Sequence, residues 1–166
     1  MFELKQLSPG SVPGAMAKVE RYRLLNEPAE AESICRDILE IEPENEAVLI
    51  AMVLCLTDQI AQDASAAARA HTVATRLNDE YDRAYYSGLV WERKAKARYH
   101  NGSYVSKQTV YDWLVQALHL FEAAERLRPP GNDDAILRWN ACVRFIRNHP
   151  ELTEQASEAA EPMLSD

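Results

Sequence analysis

The chain has 166 residues, 47% apolar and 27% charged, enough for one domain with a buried core. Twenty-four alanines stand against five glycines and eight prolines, which excludes collagen-like, disordered and disulfide-scaffold chains and disfavours a sandwich or barrel. The formal charge of −8 repels nucleic acid and anionic membranes, so neither is an expected partner.

Residues 1–11 read as a loose arm. The start Met1-Phe2-Glu3-Leu4 lacks a basic stretch followed by an apolar run, so no signal peptide is expected and the cytoplasm is the expected location. A first helix runs through Ala15, Val19, Tyr22 and Leu25, and a second from Ala31 to Pro43. Ala47 to Leu56 is the longest apolar run; at ten residues it is about half of a bilayer span, hence a core helix. Another helix follows from Ala67 to Asp79, and a long one ends near Tyr99, before the turn signal Asn101-Gly102-Ser103. The next helix spans about Thr109 to Leu127. After Pro129-Pro130-Gly131, Asn132 or Asp133 can cap a last helix that ends near Asn148. The helical domain is therefore expected over residues 12–148, with an acidic, flexible tail over 149–166.

Three of these stretches align without gaps, opening at Ala31, Ala67 and Ala117. Four residues on stand Cys35, His71 and Phe121; seven on, Ile38, Ala74 and Ala124; ten on, Ile41, Leu77 and Leu127. These offsets mark one face of a helix, and Pro43, Asp79 or Pro129 closes each copy. Each copy follows another helical stretch, so the unit is a helix pair. Packed helix axes lie roughly 8–10 Å apart, and a small residue permits the closest approach.

With Gly88-x₂-Trp91, Val19-x₂-Tyr22 and Ala117-x₃-Phe121 followed by Pro129, the pattern resembles the tetratricopeptide repeat (TPR) over roughly residues 12–147. The spacings are 36 and 50 residues, against about 34 in that family. The resemblance implies an all-α fold, a right-handed superhelix of about three helix pairs closed by a C-terminal capping helix. It also implies a concave groove lined by the first helix of each pair. Carried over onto this chain, the partner-binding candidates are Arg23, Leu54, Tyr85, Tyr86, Leu89, Arg93, Lys96, Arg98, Arg138 and Arg144. The groove positions of the carboxylate clamp found in some members hold Met16, Glu20 and Ala51, so that specialised activity is not expected.

The charge is blocked along the chain. Residues 27–46 hold eight acids against Arg36, whereas residues 83–107 hold six bases against Glu92. Eight of the thirteen aromatics lie within residues 81–113, beside those bases, and Tyr, Trp and Arg together compose interface hot spots. Trp91 and Trp113 can equally staple the lengthened helix pair. Catalytic signals are missing: the histidines His71, His100, His119 and His149 are scattered, and no phosphate loop, nucleophile elbow or zinc spacing occurs. Cys35, Cys55 and Cys142 each sit in an apolar stretch, as free core cysteines do.

No catalytic, cofactor or metal site is expected. The leading expectation is a non-catalytic interaction module, monomeric or weakly dimeric, that binds a peptide or helical segment of another protein, acidic by preference. A self-associating structural protein is the alternative, and an enzyme or cofactor carrier using His71 or His100 a third.

Overall fold

The computed structural model describes residues 1–102 and 104–152, and these are all-α: seven helices packed in sequence, with no strand among the described residues. They are α1 (Val12–Leu24), α2 (Pro28–Ile41), α3 (Glu46–Gln59), α4 (Ala66–Ala74), α5 (Glu80–His100), α6 (Lys107–Leu127) and α7 (Asp134–Asn148). The starts follow from local chemistry. Asn45, Asp79 and Ser106 each accept, through the side chain, the N–H three residues on, from Val48, Asp82 and Thr109. Pro28 opens α2, where its missing N–H costs nothing. Before α7, the Asn132 Oδ1 accepts the Asp134 N–H at 3.0 Å. Asn26, at φ 60°, turns the chain between α1 and α2.

Each helix packs on the next, and the odd-numbered ones also meet one another: α1 with α3, α3 with α5, α5 with α7. The even-numbered helices make no comparable contact among themselves. The odd helices therefore form one continuous side. The contact between α5 and α6 is the most extensive, because both run 21 residues, about 30 Å.

The main core lies under α1–α5, and a second under α5–α7. The three aligned alanines Ala31, Ala67 and Ala117 are all buried, as are Cys35, Ile38, Ala74, Phe121 and Ala124. Leu127 breaks the pattern: it is the last residue of α6 and stands 47% exposed among the described residues. Leu25, just past α1, is exposed as well. The fourth helix stops at Ala74, five residues before Asp79, and Leu77 reaches the core from the turn. Leu7 packs against the core from the arm, while Met1, Phe2 and Leu4 are exposed. At the other end Leu152 is buried against the second core, so packing continues beyond Asn148. The rest of the acidic tail, residues 153–166, lies outside the described residues. No helix among the described residues is long and apolar enough to cross a membrane.

Ala117 has no accessible surface and lies within the second core. The change Ala117→Leu is expected to overpack this core and cost about 1–3 kcal/mol, read as a lowered urea midpoint with an unchanged slope. An unaltered midpoint would show that the repeat alignment misplaces the helix contacts.

A polar knot ties α2, α3 and α4. The nearly buried Glu32 carboxylate accepts from Arg36, from Arg69 Nη1 at 2.5 Å and from Gln59 Nε2 at 2.7 Å. Burial pushes the Glu32 carboxyl upward, but the hydrogen bonds from Gln59 and Arg36 and the charge of Arg69 outweigh it and leave the group below its ordinary value. A depressed folded value adds stability above the unfolded value of about 4.3, and this is lost as pH falls through the folded value. Wild type is therefore expected to lose more melting temperature than Glu32→Gln between pH 5 and the acid limit. Parallel pH profiles would count against the knot.

Candidate functional site

The polar residues of the odd helices converge on one another. In the last turns of α1 and α3, Arg23 and Asp58 meet, with Arg23 Nε donating to Asp58 Oδ2 at 2.8 Å. From α5, Arg93 Nη1 donates to Asp58 Oδ1 and to Thr57 Oγ1, the latter at 3.2 Å. Asp58 thus bridges two arginines from separate helices. One residue before Arg93, Glu92 is fully buried. Its Oε1 accepts from Lys96 Nζ at 2.5 Å, and its Oε2 from Arg138 Nε at 2.9 Å and Nη2 at 2.7 Å. Lys96 stands one helical turn along α5, on the same flank, whereas Arg138 comes across from α7.

Beside them lies a cavity of about 460 Å³ whose walls include Arg23, Asn26, Thr57, Asp58, Arg93 and Lys96, but neither Glu92 nor Arg138. An adjoining cavity of about 470 Å³ shares Asn26, Pro28 and Asp58, and its other charged residues are Glu27, Glu30 and Asp63. The first is basic and the second acidic, with Asp58 in the wall between them.

Of the expected groove residues, Arg23, Arg93 and Lys96 come together here, and Arg138 is joined to them only through Glu92, which it shares with Lys96. Leu54 is half-buried on α3, one turn before Asp58. Leu89 is not available to a partner: it is 4% exposed and belongs to the core. Tyr85 and Tyr86 are half-buried, and their rings meet edge to face at 5.0 Å. Tyr85 also packs on Phe121, and burial pushes the Tyr86 phenol up to about 12. Arg98 stands on the opposite flank of α5 from Arg93, five residues and therefore about 140° away. There it neighbours Lys94, whose ammonium is held below its ordinary value by burial and by Arg98. Arg144 is exposed on α7 and joins neither cavity.

The aromatic residues divide in the same way. Trp91 and Trp113 approach to 6.3 Å, with the Lys94 ammonium 4.7 and 4.1 Å from their ring centres. The His71 ring packs tilted against Trp91 at 4.8 Å, and burial, with the Lys94 charge, holds its imidazole below the usual histidine range. These rings staple α4, α5 and α6 together. His100 is exposed and faces Tyr99 and Phe145. The three cysteines are buried, and burial pushes the Cys142 thiol up to about 12. No group of three or more His, Cys, Asp or Glu among the described residues is placed to hold a metal ion.

Sequence reading missed the burial of Glu92 and the part played by Asn26 and Thr57. A signal for Glu92 was present: it stands between the apolar Val90 and Ala95, four residues before Lys96. No family model, no curated protein and no solved structure matches the chain.

Proposed function

We propose that the chain is a TPR-like helical repeat protein that binds a segment of another protein along the side formed by its odd helices. The observation that carries this reading is the convergence of Arg23, Asp58, Arg93, Lys96 and Arg138 from four helices onto one face, all still partly exposed. Lys96 and Arg138 also neutralise the buried Glu92, but folding alone does not call for the Arg23–Asp58–Arg93 bridge, in which every partner is partly exposed. Ion pairs at this exposure are worth about 0–1 kcal/mol, little for the side-chain ordering they require. The buried alanines of the aligned copies, and the close approach of Gly88 to Phe121, support the repeat reading.

Site-specific photo-cross-linking in cells tests it. A cross-linker at Leu54, or at Ala61 in the cavity wall, is expected to give a discrete heterologous adduct that the same group at Thr72, exposed on α4, does not give. Adducts of the chain with itself would favour the self-associating alternative. Identical patterns from all three positions would overturn the groove.

A further inference from the structure

Resting on that reading, we infer that the basic cavity between α1, α3 and α5 receives a single, isolated carboxylate side chain of the bound segment, not an acidic tract. The cavity walls hold three cations, Arg23, Arg93 and Lys96, and one carboxylate, Asp58. Their donors are only partly used. Arg23 commits Nε to Asp58, and Arg93 commits Nη1 to Asp58 and Thr57. The two terminal nitrogens of Arg23, and Nε and Nη2 of Arg93, have no acceptor among the described residues. Lys96 shares Glu92 with Arg138, so its charge is only partly offset.

Both guanidiniums are sheltered, at 26% and 32% exposure, and Asp58 fixes their spacing before any ligand arrives. Such pre-set forks suit a carboxylate, which accepts two parallel N–H bonds. The cavity volume lies within the roughly 300–1,000 Å³ of ligand sites.

The neighbouring cavity sets the limit on the ligand. Its charged residues are Glu27, Glu30, Asp58 and Asp63, with no cation among its lining; Asp63 is paired with Arg69 and Asp58 with both arginines, so the repulsive charge is that of Glu27 and Glu30. A second acid next to the docked one would be carried towards these carboxylates and repelled. A neutral or basic neighbour would not. Selectivity therefore comes from the repulsive wall as much as from the arginine pair.

Two-dimensional NMR of the full chain tests the inference, following the Nε–H signals of Arg23 and Arg93 and the side-chain amide of Asn26. The probes are short capped alanine–serine peptides carrying one central glutamate, one glutamine in its place, or a run of glutamates, together with doubly blocked free glutamate. The single-glutamate peptide is expected to shift all three signals at low salt. The glutamine peptide should bind roughly tenfold more weakly, the difference expected of a charged hydrogen bond. The glutamate run should gain nothing over the single acid, and the blocked amino acid should bind more weakly than the peptide. Arg23→Gln/Arg93→Gln should abolish the difference between glutamate and glutamine, while Arg126→Gln, remote and exposed on α6, should keep it. A glutamate run that binds tighter in proportion to its charge overturns the isolated acid. Equal affinity for the blocked amino acid overturns a protein segment as occupant. Cross-linking from Leu54 that survives in Arg23→Gln/Arg93→Gln, with no glutamate preference in wild type, removes the carboxylate site and leaves the groove standing.

Discussion

Arg138→Met is expected to destabilise the protein by about 3 kcal/mol, whereas Glu92→Leu, which removes the other end of the same ion pair, is expected to cost under about 1 kcal/mol. The asymmetry follows from burial. Glu92 has no accessible surface, while Lys96 and Arg138 are 28% and 31% exposed. Deleting Arg138 strips both of its donors from Oε2 and leaves an anion in the core with Lys96 as its one cation and the Cys142 thiol as a weak donor. Breaking a buried pair in this way costs roughly 3–5 kcal/mol, and the surviving Lys96 bond keeps the loss near the lower end. Deleting Glu92 leaves only cations that can turn towards water, and leucine fills most of the vacated volume. Urea unfolding of both variants reads the difference directly. Equal losses, or a larger loss for Glu92→Leu, would mean that water reaches the carboxylate. The result also bears on binding studies, because a partner lost in Arg138→Met can be lost through unfolding. The double variant Arg138→Met/Glu92→Leu should recover most of the stability and isolates the contribution of Arg138 to recognition.

The apolar periodicity was enough to place the helices. The bounds of α5 and α6 at the loop between them fall within two residues of those expected, whereas the caps Asn45 and Ser106 went unread and Asp79, read as closing one helix, caps the next. The end of α4 was not readable, because Leu77 keeps the helical offset while reaching the core from a turn. A residue ten places along the pattern says apolar and buried, but not helical. Leu127 shows the converse, an apolar residue on the right offset that stays exposed among the described residues. The charge block over residues 83–107 misled in a different way. Counting gives one basic patch, but helical angles send Arg93 and Lys96 to one flank of α5 and Lys94 and Arg98 to the other. The acid in the middle of the block turned out to be its organiser. Its partner Arg138 lies 46 residues away, a pairing that only the packing of α7 on α5 creates.

Gly88→Leu is expected to cost more than about 3 kcal/mol, the upper end of what overpacking usually costs. A Cβ at Gly88 would stand 2.8 and 2.9 Å from two ring carbons of Phe121 and 3.3 Å from the Leu120 Cβ. Phe121 cannot give way easily: it is 1% exposed and held against Tyr85 at 5.9 Å. Two effects oppose each other in the milder change Gly88→Ala. Alanine favours an interior helical position by about 0.8–1.0 kcal/mol over glycine, while the clash with a fixed ring costs about 1–3 kcal/mol. The clash should win, giving a net loss on the order of 1 kcal/mol. A double-mutant cycle separates the two effects. In a Phe121→Leu background the ring carbons are gone, so the same Gly88→Ala change should become neutral or stabilising, up to the helix-propensity gain. That sign reversal can arise only if Gly88 is needed for the closeness of α5 to α6 and not for backbone freedom, since its φ is an ordinary helical one. A loss of the same size in both backgrounds would place the requirement elsewhere, and the resemblance of Gly88 and Phe121 to a repeat contact would then be coincidental.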